Sequence, residues 1–209
     1  MSDAAPSREV ARRVLAAEFN DARYTFTESD DERAPVYSLL PTGERANRVF
    51  VVGTLTETED LGDDAEYWRG RIVDPTGTFF TYAGQYQPDA AATLRETETP
   101  VYAAVVGKPS TYETEEGDVN VSLRPESITV VDDATRDRWV VEAAERTLER
   151  IQAFDGASAG TPAGEDAAVA GEYAAMAETQ YDPDLAVYRD RVVAALEDLE
   201  DEPEIAAEA

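Results

Sequence analysis

The stretch that decides the fold runs from Arg48 to Gly84 and reads RVFVVGTLTETEDLGDDAEYWRGRIVDPTGTFFTYAG. Its centre is Asp74-Pro75-Thr76-Gly77, which combines a proline fixed near a φ of about −65° with a glycine free to adopt positive φ. Residues 67–73 before this tetrapeptide and 78–82 after it are rich in β-branched and aromatic side chains. The pattern predicts two antiparallel strands joined by a tight turn.

Three further runs complete a predicted set of five strands. Residues 49–55 are apolar on both faces, as in a strand buried from two sides, and Gly53 within them indicates a bend or bulge. Residues 101–106 and 119–124 follow the hairpin, and a helical link at 90–95 separates the third strand from the fourth. This arrangement predicts a five-stranded OB-fold barrel. The predicted fold class is mainly β with helical flanks, namely the barrel, an amphipathic helix and a small C-terminal helical segment.

The charge of the chain is strongly acidic. There are 45 acidic residues against 18 basic ones, the formal net charge is −27, and Lys108 is the only lysine. Such a balance normally argues against a nucleic-acid partner. It is also typical of proteins that stay soluble in molar salt, where the Debye length is only about 3 Å. We therefore interpret the charge first as adaptation to a halophilic cytoplasm and expect folding to require salt, because carboxylates repel one another when unscreened.

Several classes of protein are disfavoured by what the chain lacks. It has no cysteine and no histidine, which removes disulfides, zinc ribbons, thiol nucleophiles and the commonest general base. A metal site in the acidic loop at 56–66 is the less favoured interpretation, because the loop lacks calcium-loop spacing and a solvated loop fits it better. The loop at 111–118 is likewise acidic. We expect no enzyme, no catalytic residue, no metal and no cofactor. No apolar run is long enough to span a membrane and no signal-peptide core is present, so a cytoplasmic protein without a membrane partner is expected.

Five segments are predicted along the chain. They are a helix with an acidic connector (1–34), the OB-fold domain (35–133), an amphipathic subunit-docking helix (134–154), a flexible linker (155–170) and a helical hairpin with an acidic tail (171–209). The first helix is expected from Ser7 to about Asn20. A short strand at 36–40 leads into the barrel and is expected to protect an open sheet edge.

The helix at 134–154 carries an apolar stripe at helical spacing. A small barrel already has its own core, so the stripe would leave apolar area exposed in a monomer, and such area usually marks an interface. The predicted partner-docking residues are Trp139, Val140, Ala144, Leu148 and Ile151. The competing interpretation is that the stripe caps the protein's own barrel.

Aromatic side chains interleaved with arginines make the hairpin a candidate nucleic-acid surface, because bases stack on rings at about 1–3 kcal/mol each. Every second side chain of a barrel strand points inward. Arg69 and Arg71 therefore mark the solvent-exposed face of the hairpin, and Phe80 and Tyr82 are favoured over Phe79 as the exposed pair. The candidate nucleic-acid-binding residues are Trp68, Arg69, Arg71, Phe80, Tyr82, Tyr86, Lys108 and Arg124.

Four motifs carry a resemblance to a known family. They are VFVVGTL (49–55), YWRGRIVDPTG (67–77), VYAAVVGK (101–108) and VSLRPESI (121–128). In this order they resemble the single-OB subunits of replication protein A, and residues 8–154 are similar to the haloarchaeal replication protein A-associated family, encoded beside a larger single-stranded DNA-binding subunit. The resemblance implies an archaeal protein that acts in DNA replication, repair and recombination, with subunits associating through a helix C-terminal to each OB fold.

Three functions remain open from the sequence. The first is an accessory subunit of a replication protein A complex, which assembles with the larger subunit through the post-barrel helix. Such a subunit contacts single-stranded DNA directly or through the complex. The second is an autonomous single-stranded DNA binder, which an open Arg69–Arg71 face would favour. The third is an OB-fold module for another ligand, such as transfer RNA or a protein, because one fold serves many ligands.

Overall fold

A computed structural model describes residues 9–32, 34–158 and 165–201 of the chain. The strands are β1 (Arg12–Arg13), β2 (Thr25–Thr27), β3 (Val36–Leu39), β4 (Arg45–Ala46), β5 (Val49–Asp60), β6 (Trp68–Asp74), β7 (Gly77–Ala83), β8 (Val101–Glu113) and β9 (Val119–Val131). The helices are α1 (Ala16–Asp21), α2 (Pro88–Glu96), α3 (Asp133–Ser158), α4 (Glu165–Tyr181) and α5 (Leu185–Asp201).

Strands β5 to β9 form a closed, mixed five-stranded barrel, which confirms the predicted OB-fold class with helical flanks. The strand order is β5-β6-β7-β9-β8, and pairing of β5 with β8 closes the ring. All these pairs are antiparallel except β7 with β9. Helix α2 separates β7 from β8, as the sequence predicts, whereas β8 and β9 are each 13 residues long and extend well beyond their predicted ends.

Gly53 has a different role from the predicted bulge. The register shift in the β5–β6 pair lies between Leu55 and Glu57. A Cβ at Gly53 would lie 2.5 Å from the carbonyl oxygen of Val73, a separation that real Cβ atoms do not show. The glycine is therefore needed for close approach of β6, at the point where β5 passes from pairing with β8 to pairing with β6.

The turn between β6 and β7 forms where predicted and is held by one carboxylate. Asp74 Oδ1 accepts hydrogen bonds from the Thr76 amide (2.7 Å), the Thr76 hydroxyl (2.8 Å) and the Gly77 amide (2.9 Å). Among the described glycines only Gly43 and Gly117 have positive φ, so the expected positive φ of Gly77 is wrong. Gly77 is the fourth residue of the turn, and glycine is favoured at this position even when its φ is not positive.

Helix α1 begins at Ala16, so the N-terminal helix predicted from Ser7 to about Asn20 forms over 16–20 and is wrong over 9–15. Residues 12 and 13 instead pair in parallel with the start of β5, and Ser7 lies outside the described residues. The second oxygen of Asp74 accepts the Ala16 amide at 2.8 Å, and the Thr76 hydroxyl accepts the Ala17 amide at 3.0 Å. The hairpin turn thus satisfies two donors at the start of α1, as a helix cap does.

Strand β3 does not protect the barrel edge as expected. It pairs with β2 and β4 in a separate three-stranded antiparallel sheet. The turn after β3 contains Gly43, whose φ is +85°. A Cβ at Gly43 would lie 2.8 Å from Phe154 Cδ2 and 2.9 Å from the Ala174 Cα. This small sheet therefore packs tightly against α3 and α4.

The apolar stripe of α3 is covered by the chain itself, which contradicts the exposure on which the docking prediction rests. Trp139, Val140, Ala144 and Ile151 are each at most 2% exposed, and only Leu148, at 38%, is open to solvent. The Trp139 indole donates to the Phe50 carbonyl of β5 at 3.2 Å.

Helices α4 and α5 form within the predicted C-terminal helical segment, and they complete this cover. Val192 and Ala195 of α5 belong to the same core as Val140, and Ala174 and Ala177 of α4 pack with Phe154. The predicted linker at 155–170 holds the end of α3 and the start of α4, while residues 159–164 and the tail at 202–209 lie outside the described residues. No helix in the described part of the chain is long and apolar enough to cross a membrane.

A buried ion pair joins α1 to α3. Glu18 is 1% exposed and Arg150 is 8% exposed. Arg150 Nε donates to Glu18 Oε1 at 2.9 Å, and its Nη2 donates to the other oxygen. The hydroxyls of Thr147 and Thr42 also donate to Glu18. Because the carboxylate receives this many donors, the cost of removing both charges from water is offset by hydrogen bonding.

We expect Asp74→Ala to lower the free energy of unfolding by about 1–3 kcal/mol, because buried amides in the turn and at the start of α1 lose their acceptor. The loss of stability in Asp74→Asn should be intermediate. Its side-chain oxygen still accepts the hydrogen bonds of the turn, whereas its NH2 group replaces the oxygen that accepts the Ala16 backbone amide. Urea unfolding at constant molar KCl measures the effect. Asp63→Ala, in an exposed loop, is the control and should change stability by less than about 0.5 kcal/mol.

The two positions at the end of the α3 stripe should respond differently to glutamate. Ile151→Glu buries an unpaired charge and should cost at least about 3 kcal/mol. Leu148→Glu places the charge in water and should cost less than about 1 kcal/mol. Circular dichroism and urea unfolding of each single variant distinguish the two. Equal tolerance of both substitutions would contradict the covered stripe.

Candidate nucleic-acid interface

The alternation predicted for the hairpin is confirmed. On β6, Ile72 points into the barrel and is buried, while Arg69 and Arg71 point outward. On β7, Phe79 is fully buried and Phe80 is half-buried on the outer side, together with Tyr82. The outer surface of β6 and β7 therefore carries both arginines and two of the rings.

Arginines and rings face each other across these two strands. Arg69 lies directly opposite Tyr82, and Arg71 lies opposite Phe80. The Arg69 guanidinium carbon is 5.8 Å from the centre of the Phe80 ring. Tyr67 stacks on Tyr82 with ring centres 5.8 Å apart and ring planes 18° apart. Such a surface combines flat apolar platforms with adjacent positive charge, which is the combination that single-stranded nucleic acid requires.

Acidic residues of β5 border the same surface. The sequence assigned them to a solvated acidic loop at 56–66, which is wrong for 56–60, because β5 continues to Asp60. Glu59 lies opposite Arg69, and Glu57 lies opposite Arg71. Arg69 Nη2 is 2.5 Å from Glu59 and 3.5 Å from Glu57, so the charge of this arginine is neutralised within the protein. Arg71 donates to the Thr56 hydroxyl at 3.1 Å. A phosphate that approaches Arg69 meets the charges of these two glutamates.

Tyr112 at the end of β8 is a further aromatic neighbour that sequence reasoning missed. It is 49% exposed and lies beside Tyr82. Burial, and then the neighbouring Tyr112, raise the pKa of the Tyr82 hydroxyl. The connections 61–67 and 114–118 mark the two ends of the barrel surface where OB folds hold ligands. An aromatic residue beside the second of these connections was the available signal.

The remaining candidates divide between core and surface. Trp68 packs against the barrel core, so its assignment to the nucleic-acid face is wrong. Its neighbour across the hairpin, Ala83, is buried, as expected for an inward position. Tyr86 is 83% exposed, and Lys108 lies opposite Arg124 in the β8–β9 pair.

In the part of the chain that the structure describes, no group of three or more acidic side chains is arranged to hold a metal ion.

Comparison with known proteins gives structural likenesses only. No family model and no curated protein sequence matches the chain. The second single-stranded DNA-binding protein (SSBb) of Mycobacterium smegmatis has a TM-score of 0.36 and 19% identity, covering 43% of this chain and 89% of that one. The Stn1–Ten1 complex of S. pombe has a TM-score of 0.39 and 12% identity, covering 53% and 73%. OBody AM2EP06, bound to hen egg-white lysozyme, has a TM-score of 0.39 and 11% identity, covering 60% and 98%. At these values the likenesses say nothing about function.

We expect Glu59→Gln to raise the affinity for oligo-dT, because Arg69 loses its closest anion. Each phosphate newly neutralised on a single strand should also steepen the slope of log K against log salt by about 0.7. Fluorescence anisotropy over a KCl series measures both quantities. Glu178→Gln, an exposed residue of α4 with the same charge change, is the control and should match the wild type. Identical titrations of Glu59→Gln and wild type would show that Arg69 meets no phosphate.

Proposed function

We propose that this chain is an OB-fold subunit of a single-stranded DNA-binding complex of the replication protein A type, acting in the cytoplasm in DNA replication, repair and recombination. Its role is binding rather than catalysis. The observation that carries the proposal is the outer surface of β6 and β7, where Phe80 and Tyr82 alternate with Arg71 and Arg69. The order of the four sequence motifs supports the family part of the proposal.

The chemistry of this surface favours bases over phosphates. Two half-buried rings and the Tyr67–Tyr82 stack offer apolar platforms, and each stacked base contributes about 1–3 kcal/mol. Arg69 is already paired with Glu59. Binding by stacking releases few counterions, so the affinity should depend weakly on salt. Weak salt dependence suits a protein whose own net charge of −27 requires high salt for folding.

The cover over α3 favours a second candidate, an autonomous single-stranded DNA binder. The stripe that would dock a larger subunit is occupied by the barrel, α4 and α5 of the same chain. An accessory subunit with this structure would meet its partner through another surface. The outer surface of β6 and β7, with Arg69, Arg71, Phe80 and Tyr82, is called the stacking face. The two candidates share this face and differ in whether the isolated chain binds single-stranded DNA.

Substitutions at Phe80 test the stacking face. Phe80→Leu keeps an apolar side chain but removes the ring, so affinity for oligo-dT should fall by about 1–3 kcal/mol while stability is retained. Phe80→Trp keeps a ring and should bind like the wild type. Fluorescence anisotropy in molar KCl measures binding, and thermal unfolding checks the fold. Equal affinities of Phe80→Leu and Phe80→Trp would overturn the stacking account.

The same titration distinguishes the candidates. Binding by the isolated chain supports the autonomous protein, and binding only after addition of the protein encoded beside it supports the accessory subunit. A preference for transfer RNA over oligo-dT of the same length would overturn both in favour of a different OB ligand.

A further inference from the structure

A row of outward residues continues the stacking face across the next two strands. Thr81 of β7 and Leu123 of β9 are a parallel pair, and both are fully buried inside the barrel. Tyr82 and Arg124 are the next residue on each strand and therefore both point outward. Lys108 of β8 lies directly opposite Arg124. Because neighbouring strands are about 4.8 Å apart, Lys108 lies roughly 10 Å from Tyr82 around the barrel.

The charges of this pair have no partner within the described residues. Neither the Lys108 ammonium nor the Arg124 guanidinium forms an ion pair or hydrogen bond there, in contrast to Arg69 and Arg48, which are paired with glutamates. Like charges directly opposite one another in a sheet are destabilising. A chain with 45 acidic residues places its only lysine at this position. The pair thus presents two adjacent cations that an anion would stabilise.

An opening of about 280 Å³ lies over this pair. It is lined by Lys108, Arg124, the exposed Tyr86 and the first residues of α2. Two carboxylates, of Asp89 and Glu126, also line it. Arg48 holds Glu126 through hydrogen bonds of 2.7 and 2.8 Å, which compensates its charge. Asp89 is in the first turn of α2, where the positive end of the helix dipole compensates its negative charge.

We propose that Lys108 and Arg124 form a subsite for a backbone phosphodiester of single-stranded nucleic acid. The inference rests on the proposed function, because the strand is the one whose bases stack on Phe80 and Tyr82. In this arrangement bases are held on β6 and β7, and the backbone is held where the strand crosses β9 and β8. The salt-dependent part of binding then comes from this pair, since Arg69 is neutralised by Glu59.

The test compares two double variants with the same change in net charge. Lys108→Gln with Arg124→Gln removes the subsite, and Arg138→Gln with Arg191→Gln removes two exposed arginines of α3 and α5. Wild type and control should lose about twofold in affinity for oligo-dT between about 1 M and 3 M KCl, and the subsite variant should lose almost none, because the slope of about −0.7 for the one phosphate held by the pair disappears. Thermal unfolding checks that all proteins remain folded.

An oligo-dT with an uncharged methylphosphonate backbone identifies the ligand group. With this probe the subsite variant should bind like the wild type, whereas Phe80→Leu should still bind less well. If Phe80→Leu weakens binding and the two double variants have the same salt slope, the subsite is overturned and the stacking face stands. If the subsite variant loses the same affinity on both backbones, the pair does not bind phosphate. If Phe80→Leu has no effect on either probe, the proposed function itself fails.

Discussion

The carboxylate of Asp74 is the contact on which the rest of the structure depends. One oxygen organises the β6–β7 turn, and the other receives the first amide of α1. Burial raises the pKa of this carboxyl, and the hydrogen bonds from Ala16, Thr76 and Gly77 act against that shift. Because α1 is fixed in this way, its Glu18 reaches Arg150 of α3. A single side chain thus connects the hairpin that carries the stacking face to the helical layer.

Helices α3, α4 and α5 form the helical layer, which completes the hydrophobic core within one chain. An amphipathic helix after a small barrel needs a cover for its apolar stripe, and here α4 and α5 supply it within the same chain. Gly43 allows α4 to approach the small sheet because no Cβ stands between them. The surface that α3 alone would offer to a partner is therefore largely buried within the chain.

The acidity of the chain is compatible with the proposed nucleic-acid surface because the charges are compensated locally. Glutamates of β5 pair with Arg69 beside the rings, which leaves nearly balanced charge on the surface where base stacking is proposed. The Lys108–Arg124 pair lies apart from these glutamates on β8 and β9. Net charge describes solubility and long-range repulsion, whereas affinity depends on groups within a few ångströms of the ligand.

The sequence by itself determined the barrel, its hairpin and the sides of the strands, because the period of two along a strand separates Phe79 from Phe80 without reference to any distant residue. It also indicated the arginines of the stacking face. It did not reveal Glu59 or Tyr112 as neighbours of that face, because cross-strand partners depend on register.

Only the tertiary structure decided where α1 begins, what covers Trp139 and Ile151, and which cations have no partner among the described residues. Each of these depends on residues far apart in the chain: Asp74 caps Ala16, Val192 packs into the core that includes Val140, and Lys108 meets Arg124 across two strands. Local pattern specifies which face of an element is apolar or charged. The identity of what lies against that face is set by long-range packing, which no local pattern contains.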